Sequence, residues 1–489
     1  MRLSPERTVL AVGLLGGLLF AFATPPFQSP DEPAHFRRIY QIAGGVQLQP
    51  GPRGVPGIMQ PASLEKIIAL CLAGLPGEPR RLLPQGVVQA AWSVPLDPGR
   101  QVFVPLANLT AYNPVSYLPQ AAAAAVSRWL EVRPLATLYV VRLANLAVCL
   151  ALVYAAVRMA PLQKWAFAFL ALTPMAMFLR SSASPDGLTF ATALLLTGTV
   201  SAIAFGRSTV PEAAPASAAP DAAAPDHPAA PTAPITPAAG LPSASLVFCL
   251  LAMTGVMALC KVGYVLVNLL VGAIPRRRFR SWQAWAAMMG AALVLSLLGT
   301  WNSARIARFY TAHFRRLPSV QPLAQLQLAL AQPLHFLGLV IADYWLHLVR
   351  YAVGFIGNFG WLDTPLPVFV LVPYAVLLIG LALTGGDAAT PMPRGVRLMA
   401  AAVVVGGLLL LSTSQYLCWT PIGSQHIDGL QGRYFLPLGG AGVLLLCNRR
   451  LGRHGAPSNE PARANRLALT SAALTVGSLV TLWVRYHGW

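Results

Sequence analysis

Two adjacent carboxylates, Asp31 and Glu32, stand in the run Ser29-Pro30-Asp31-Glu32-Pro33-Ala34-His35-Phe36-Arg37-Arg38. A carboxylate can take a proton from a hydroxyl, and the nearby His35 and Arg37 can hold an anion. Further polar groups recur along the chain. Asn113 lies in Tyr112-Asn113-Pro114, with Tyr117 close behind, and Asp186 lies in Ser184-Pro185-Asp186-Gly187. Lys261 precedes Val262-Gly263-Tyr264, Asp363 closes Gly360-Trp361-Leu362-Asp363, and Arg433 and Tyr434 close Gln431-Gly432-Arg433-Tyr434. Each has an ordinary explanation. Asp31 and Asp186 suit helix caps, Arg433 an interfacial anchor, and Tyr112 and Tyr117 an aromatic belt. His35 suits a surface position. Coincidence favours chemistry: acids, arginines and a lysine from distant segments fall at one membrane face.

That face exists because most of the chain is not built for water. Of 489 residues, 56% are hydrophobic and only 10% charged, against roughly a quarter charged in a soluble domain. The net charge of +19 does not gather into a basic domain. It falls in short clusters between apolar runs, as membrane topology requires, which excludes nucleic acid as a partner. No CxxC, Walker, GxGxxG or HExxH pattern occurs. Cys71 and Cys418 lie in polar stretches and would pair only in an oxidising compartment.

The organisation that follows is an all-α polytopic bundle of about eleven spans. A first helix occupies 1–24, with its N-terminus cytoplasmic. Ala21-Phe22-Ala23 resembles a signal-peptidase site, but the run is long enough to span and is read as uncleaved. A long extracytoplasmic loop fills 25–136, with an amphipathic piece at 64–70 along the membrane surface and a juxtamembrane helix at 119–130. Spans two to four occupy 137–206. Residues 207–243, nearly all Ala, Pro, Ser and Thr, cannot bury a core and form a disordered cytoplasmic linker. Spans five to seven fill 244–300 and spans eight to eleven 366–489. The clusters Arg158/Lys164, Arg276–Arg280, Arg394/Arg397 and Arg449–Arg466 then all lie inside. Between them, 301–365 is extracytoplasmic. Its apolar stretch 334–356 carries Asp343, His347 and Arg350, so it is read as re-entrant, the alternative being a twelfth span with a polar stripe.

The order Pro30-Asp31-Glu32-Pro33-Ala34-His35-Phe36, Asn113-Pro114 with Tyr117, Asp186, Gly360-Trp361-Leu362-Asp363 and Gln431-Gly432-Arg433-Tyr434 resembles a bacterial membrane family, domain of unknown function 2142. That family is similar to the GT-C superfamily of polytopic glycosyltransferases. The resemblance implies a GT-C-like fold in the bacterial inner membrane. It also implies an acid in the first outer loop, matching Asp31 or Glu32, and a second acid that Asp186 matches. A Lys-Gly pair near the lipid phosphate is met loosely by Lys261, since Val262 intervenes. The implied reaction moves a sugar from a polyprenyl phosphate to a cell-envelope glycan or lipid acceptor, with inversion. The phosphate leaves readily, so one carboxylate suffices as base. Asp31 is the expected base and Glu32 the next choice. His35, Arg37, Lys261, Arg433 and Tyr434 are expected at the donor phosphate, and Asn113, Tyr117, Asp186 and Asp363 at the acceptor or in support. No cofactor is implied. Adjacent acids can bind a divalent metal ion, but no ligand set is evident. A flippase for lipid-linked glycans, or a non-catalytic assembly partner, is the alternative.

Overall fold

A computed structural model describes residues 3–51, 55–106, 109, 112–206, 241–307, 319–385, 392–448, 451 and 460–488. The expected linker lies almost wholly outside the described residues. Among the described residues, six helices are long and apolar enough to cross a membrane: Pro5–Ala23, Pro134–Met159, Pro185–Phe205, Trp282–Ile306, Arg394–Cys418 and Pro461–His487. Shorter apolar helices cover Ala244–Cys260, Gly263–Ala273, Val368–Thr384 and Gly432–Leu446.

Pro185–Phe205 is the centre of the bundle. Its membrane-length window is 89% buried, packed against Pro134–Met159 and Ala244–Cys260. Small residues permit this. A Cβ on Gly198 would come within 2.7 Å of the Ala156 carbonyl oxygen, so the helix backbones meet there almost directly. Pro5–Ala23 packs against Pro134–Met159 and the C-terminal helix Glu460–His487.

One expected span takes another form, and the stretch read as re-entrant is bent. The run at 165–180 is two short buried helices, Lys164–Ala171 and Pro174–Arg180. Pro174 lacks an amide hydrogen and pushes Thr173 out of the helical region, to ψ 135°. The stretch around 334–356 is not a straight span. Pro322–Ala331 and Pro333–Leu346 meet at a bend of 106°, and Leu348–Ile356 follows.

The segment after the first helix is a small folded unit, not a set of surface-lying pieces. Three strands, β1 (Gln49–Pro50), β2 (Pro56–Pro61) and β3 (Gln101–Pro105), form an antiparallel sheet. Ile58 pairs with Val104 and Gln49 with Gly57. The expected all-α class is therefore corrected to a mostly helical fold with, among the described residues, two small sheets, the second pairing Asn358–Phe359 with Thr364–Pro365. The amphipathic piece expected on the membrane surface is the helix Ala62–Leu72. Its Leu64, Ile67, Ile68 and Cys71 are buried in a core with Phe27, Phe36 and Leu138. Packing against Val87–Trp92 and Pro134–Met159 absorbed its apolar face. The expected juxtamembrane helix is Leu118–Trp129. Cys71 and Cys418 are both free, so the possible bridge is absent.

Candidate functional site

The first helix ends at Ala23, and the chain turns back at Asp31 to begin Glu32–Ala43. Asp31 is held in the left-handed region, φ 61° and ψ 6°, and its side chain makes no capping hydrogen bond. The capping explanation therefore fails. The carboxylate instead accepts a hydrogen bond from Arg433 Nη2, Asp31 Oδ2 to Nη2 being 2.9 Å. Left-handed backbone at an aspartate is uncommon and costs energy, and such strain gathers at functional sites.

Asp186 does not cap its helix either. Ser184 does so, its hydroxyl accepting from the Asp186 amide at 3.2 Å. Asp186 sits one residue inside the helix and faces two cations. Lys261 Nζ lies 3.4 Å from one oxygen and Arg433 Nη1 3.8 Å from the other. Lys261 stands where Ala244–Cys260 gives way to the tight 3₁₀-type helix Val262–Ala273. Its ammonium is ringed by Tyr434 at 4.8 Å, Tyr112 at 5.2 Å and Tyr264 at 5.8 Å, a cage that favours a cation.

Arg433 joins the two acids. Its guanidinium is 2% exposed, whereas the Asp31 side chain is 55% exposed. Nε donates to Gln431 Oε1 at 2.7 Å, Nη2 serves Asp31, and Nη1 has no hydrogen-bond acceptor. Gly432 explains how it gets there. A Cβ on Gly432 would lie 2.1 Å from the Tyr351 carbonyl oxygen and 2.6 Å from the Phe355 amide nitrogen, so only glycine lets this segment press against Leu348–Ile356. The Tyr264 hydroxyl donates to the Tyr434 carbonyl at 3.0 Å and ties down the other side.

His35 and Tyr117 complete the wall. His35 Nδ1 and the Tyr117 hydroxyl share a hydrogen bond of 2.8 Å, and Tyr112 packs edge-on to the imidazole. Burial pushes the His35 ring down to about 4, despite the pull of Asp31 and Asp186, so it is neutral at pH 7. Burial likewise pushes Tyr112 up to about 12 and Tyr117 well above its ordinary value. Burial works against ionising Asp31, but the Arg433 charge and hydrogen bond outweigh it and hold the carboxyl below its usual range.

The cluster thus gathers Asp31, His35, Tyr117, Asp186, Lys261, Arg433 and Tyr434. Four expected residues are used elsewhere. Glu32 is fully buried and pairs with Arg142, whose Nε and Nη2 donate at 2.8 and 2.6 Å. It also accepts from the Phe27 and Ala183 amides. With four donors on two oxygens, it has no lone pair turned to a substrate. Arg37 is held by both oxygens of Glu65 at 2.7 Å. Asp363 accepts from Arg485 at 3.1 Å beside the C-terminal helix. Asn113 accepts from the Val115 amide and donates to Asn302 at 2.8 Å. These four support the framework and do not face the cluster.

Tyr264, Gln431 and Arg142 were not among the expected site residues. Tyr264 and Gln431 sit inside motifs that had drawn notice for their neighbours. Arg142 carried a plain signal, a guanidinium well inside a 26-residue apolar helix whose other arginine, Arg158, stands in the last turn. Among the described residues, no group of three or more His, Cys, Asp or Glu is placed to hold a metal ion.

The sequence matches the family described as predicted membrane protein (DUF2142) over residues 14–219 and 233–439. No curated protein and no solved structure matches.

Proposed function

The chain belongs to the family of predicted membrane proteins DUF2142, and from that premise we propose that this multi-pass membrane protein is a GT-C-like glycosyltransferase. It transfers a sugar from a polyprenyl phosphate to a glycan or lipid acceptor at the extracytoplasmic face of the bacterial inner membrane. In this reading the short apolar helices also cross the bilayer, giving about eleven spans with the N-terminus cytoplasmic. The observation that carries it is the meeting of Asp31, Asp186, Lys261 and Arg433 at the ends of apolar helices. Two acids and two bases balance one another, and one guanidinium nitrogen stays unsatisfied. An incoming lipid phosphate supplies the missing acceptor.

The acceptor hydroxyl attacks the anomeric carbon as the bond to the phosphate oxygen breaks. Asp31 takes the hydroxyl proton, and its exposed side passes that proton to water. Arg433 and Lys261 take up the negative charge that develops on the departing polyprenyl phosphate. Asp186 keeps both cations oriented. Neutral His35 and Tyr117 offer hydrogen bonds to sugar hydroxyls. A single displacement inverts the anomeric centre. Both acids of the cluster already face cations, and the scheme needs no metal ion.

Translocation of a lipid-linked glycan is the second reading. Arg180, fully buried with Nε and Nη2 unsatisfied, is the kind of intramembrane charge that marks a transport path. Its Nη1 donates to the Ala171 carbonyl at 2.6 Å, where it closes the end of a broken helix, which favours a structural role.

The test is transfer in lipid nanodiscs from short-chain polyprenyl-phosphate sugars to envelope acceptors. Asp31→Asn keeps the side-chain shape and, as asparagine, tolerates the left-handed backbone. It should insert normally yet lose transfer by about a hundredfold or more, the typical contribution of a general base. Normal turnover by Asp31→Asn at saturating donor rules out Asp31 as the base.

A further inference from the structure

The bundle holds a groove that the acid cluster does not use. Its volume is about 250 Å³, and it lies between Val368–Thr384, Arg394–Cys418 and Gly432–Leu446. Every side chain lining it is apolar. Phe435, Gly439, Gly442 and Leu446 form one stripe of their helix, at i, i+4, i+7 and i+11, and the two glycines leave the room. Ile379 and Leu446 stand on its rim and are exposed, so the groove opens sideways, toward lipid.

The two ends of the groove differ in charge. At one end Phe435 packs against the rings of Tyr344 and Tyr351, at 5.9 and 5.5 Å, and the Tyr351 hydroxyl donates to the buried carboxylate of Asp343. At the other end, the foot, stands Arg397. Its Nη2 donates at 2.9 Å to the carbonyl of Cys447, the residue after Leu446. Arg397 also shares a helix face with Val404 and Leu408, which line the groove at i+7 and i+11 from it. Arg394 lies one turn earlier, and both arginines are exposed. Their helix begins here, so its positive end adds to the field. The foot sits at the end of the bundle where the first helix starts. Gln163 donates to the Ala382 carbonyl in the groove wall at 2.6 Å, and the adjacent Lys164 pairs with Glu6.

We propose that the groove holds one acyl chain of an anionic phospholipid from the cytoplasmic leaflet, with the lipid phosphate on Arg397. This rests on the topology of the reading above, N-terminus cytoplasmic, and not on its transfer chemistry. Depth and charge agree on the occupant. From Phe435 to Leu446 the helix rises about 16 Å, about half of the roughly 30 Å hydrocarbon core, so a chain entering at the foot fills one leaflet's depth. An anionic head at the foot meets arginine, whereas at the far end it would meet the acid Asp343. Arg397 is exposed beyond its bond to Cys447, so its remaining N–H groups reach a phosphate. Basic side chains between helices at the cytoplasmic face hold anionic headgroups in this way.

The test separates head from tail. Affinities of the detergent-solubilised full chain for dioleoyl phosphatidylglycerol and dioleoyl phosphatidylcholine are read by native mass spectrometry. Wild type should prefer the anionic lipid by about fivefold or more, the worth of one basic side chain at an anionic headgroup. Arg397→Gln should lose about that factor for phosphatidylglycerol and leave phosphatidylcholine unchanged. A Cβ on Gly442 would meet no atom within 4 Å, so Gly442→Phe puts its ring into the groove without a backbone clash. It should weaken both lipids alike, by about threefold or more, because the chain gains only packing over bulk lipid. Gly442→Leu repeats the measurement should the phenylalanine variant be poorly made. Equal affinity of wild type for the two lipids overturns the proposal, as does a preference that survives Arg397→Gln. Wild-type binding in both Gly442 variants overturns it too. Undecaprenyl phosphate that outcompetes phosphatidylglycerol, with the advantage lost in Gly442→Phe, assigns the groove to a polyprenyl carrier and overturns it as well. A cysteine at Gly395 that labels only from the outer side overturns the topology and the leaflet assigned here. Sugar transfer without the lipid preference sinks this proposal alone, and the preference without transfer sinks the transferase alone.

Discussion

Glu32→Gln separates chemistry from architecture most sharply. Glu32 and Arg142 are each 0% exposed, and their charges lie 2.6 Å apart. Removing one partner strands the other charge in the interior, which costs about 3–5 kcal/mol. Glutamine keeps one acceptor oxygen, but its amide would point hydrogens at the Arg142 guanidinium or at the Phe27 and Ala183 amides, which are themselves donors. The cost therefore belongs at the upper end of that range, without adding the lost hydrogen bonds separately. Thermal unfolding in detergent, followed by size-exclusion of the surviving monodisperse fraction, reads it. Glu32→Gln should fall well below wild type. Glu32→Leu with Arg142→Met should recover only part of the loss, because the Ala21, Thr24 and Pro25 carbonyls that Arg142 serves would stay unpaired. A Glu32→Gln protein within about 1 kcal/mol of wild-type stability, below the range for a broken buried pair, yet inactive in transfer, would refute this reasoning and make Glu32 a reacting group.

Three further outcomes are expected. His35 binds its proton with a value of about 4 in the folded protein, against an ordinary 6.5. The unfolded chain holds that proton more tightly, so its contribution is full above pH 6.5 and is lost as pH falls toward 4, by at most about 3 kcal/mol. Stability measured against pH should flatten across that window in His35→Gln, and an unchanged slope would contradict the assignment. Gly432→Ala has no room for its methyl against Tyr351 and Phe355, so Arg433 should shift and farnesyl phosphate binding should drop tenfold or more, about 1.4 kcal/mol; wild-type affinity would show that the segment yields. Arg37→Ala breaks a pair whose side chains are 23% and 29% exposed, so it should cost about 1 kcal/mol or less and leave lipid-phosphate binding unchanged; a large loss of binding would return Arg37 to the site.

Much of this site was visible in the chain because its members carry charge in a sequence that has little. Asp31, Asp186, Lys261 and Arg433 stand out against 56% hydrophobic residues, and a charge near lipid needs a reason. Their division of labour was not visible. Asp31 and Glu32 are neighbours of nearly equal chemistry, and only the left-handed turn at Asp31 sends one toward Arg433 and the other toward Arg142. Aspartate enters the left-handed region more readily than glutamate, but that preference does not fix the angle; tertiary packing does. The small sheet was missed for a related reason. β2 is Pro-Gly-Ile-Met-Gln-Pro, rich in residues that disfavour strands, and its pairing with β3 lies about forty positions away along the chain. The break at Pro174 was legible as Thr-Pro inside an apolar run, but apolar length outweighed it.

The Arg142 anchor also bears on how the protein is made. Arg142 lies about two turns into Pro134–Met159, and an arginine within a lone helix costs about 2.5–3.5 kcal/mol to insert at its centre. All its hydrogen-bond partners, Glu32 and the carbonyls of Ala21, Thr24 and Pro25, are synthesised more than a hundred residues earlier. The end of the first helix and the following turn must therefore still be at hand when the second long helix leaves the ribosome. Insertion of that helix is then a folding step, guided by an acid already in place, and mutations at Glu32 should show as topology errors during synthesis.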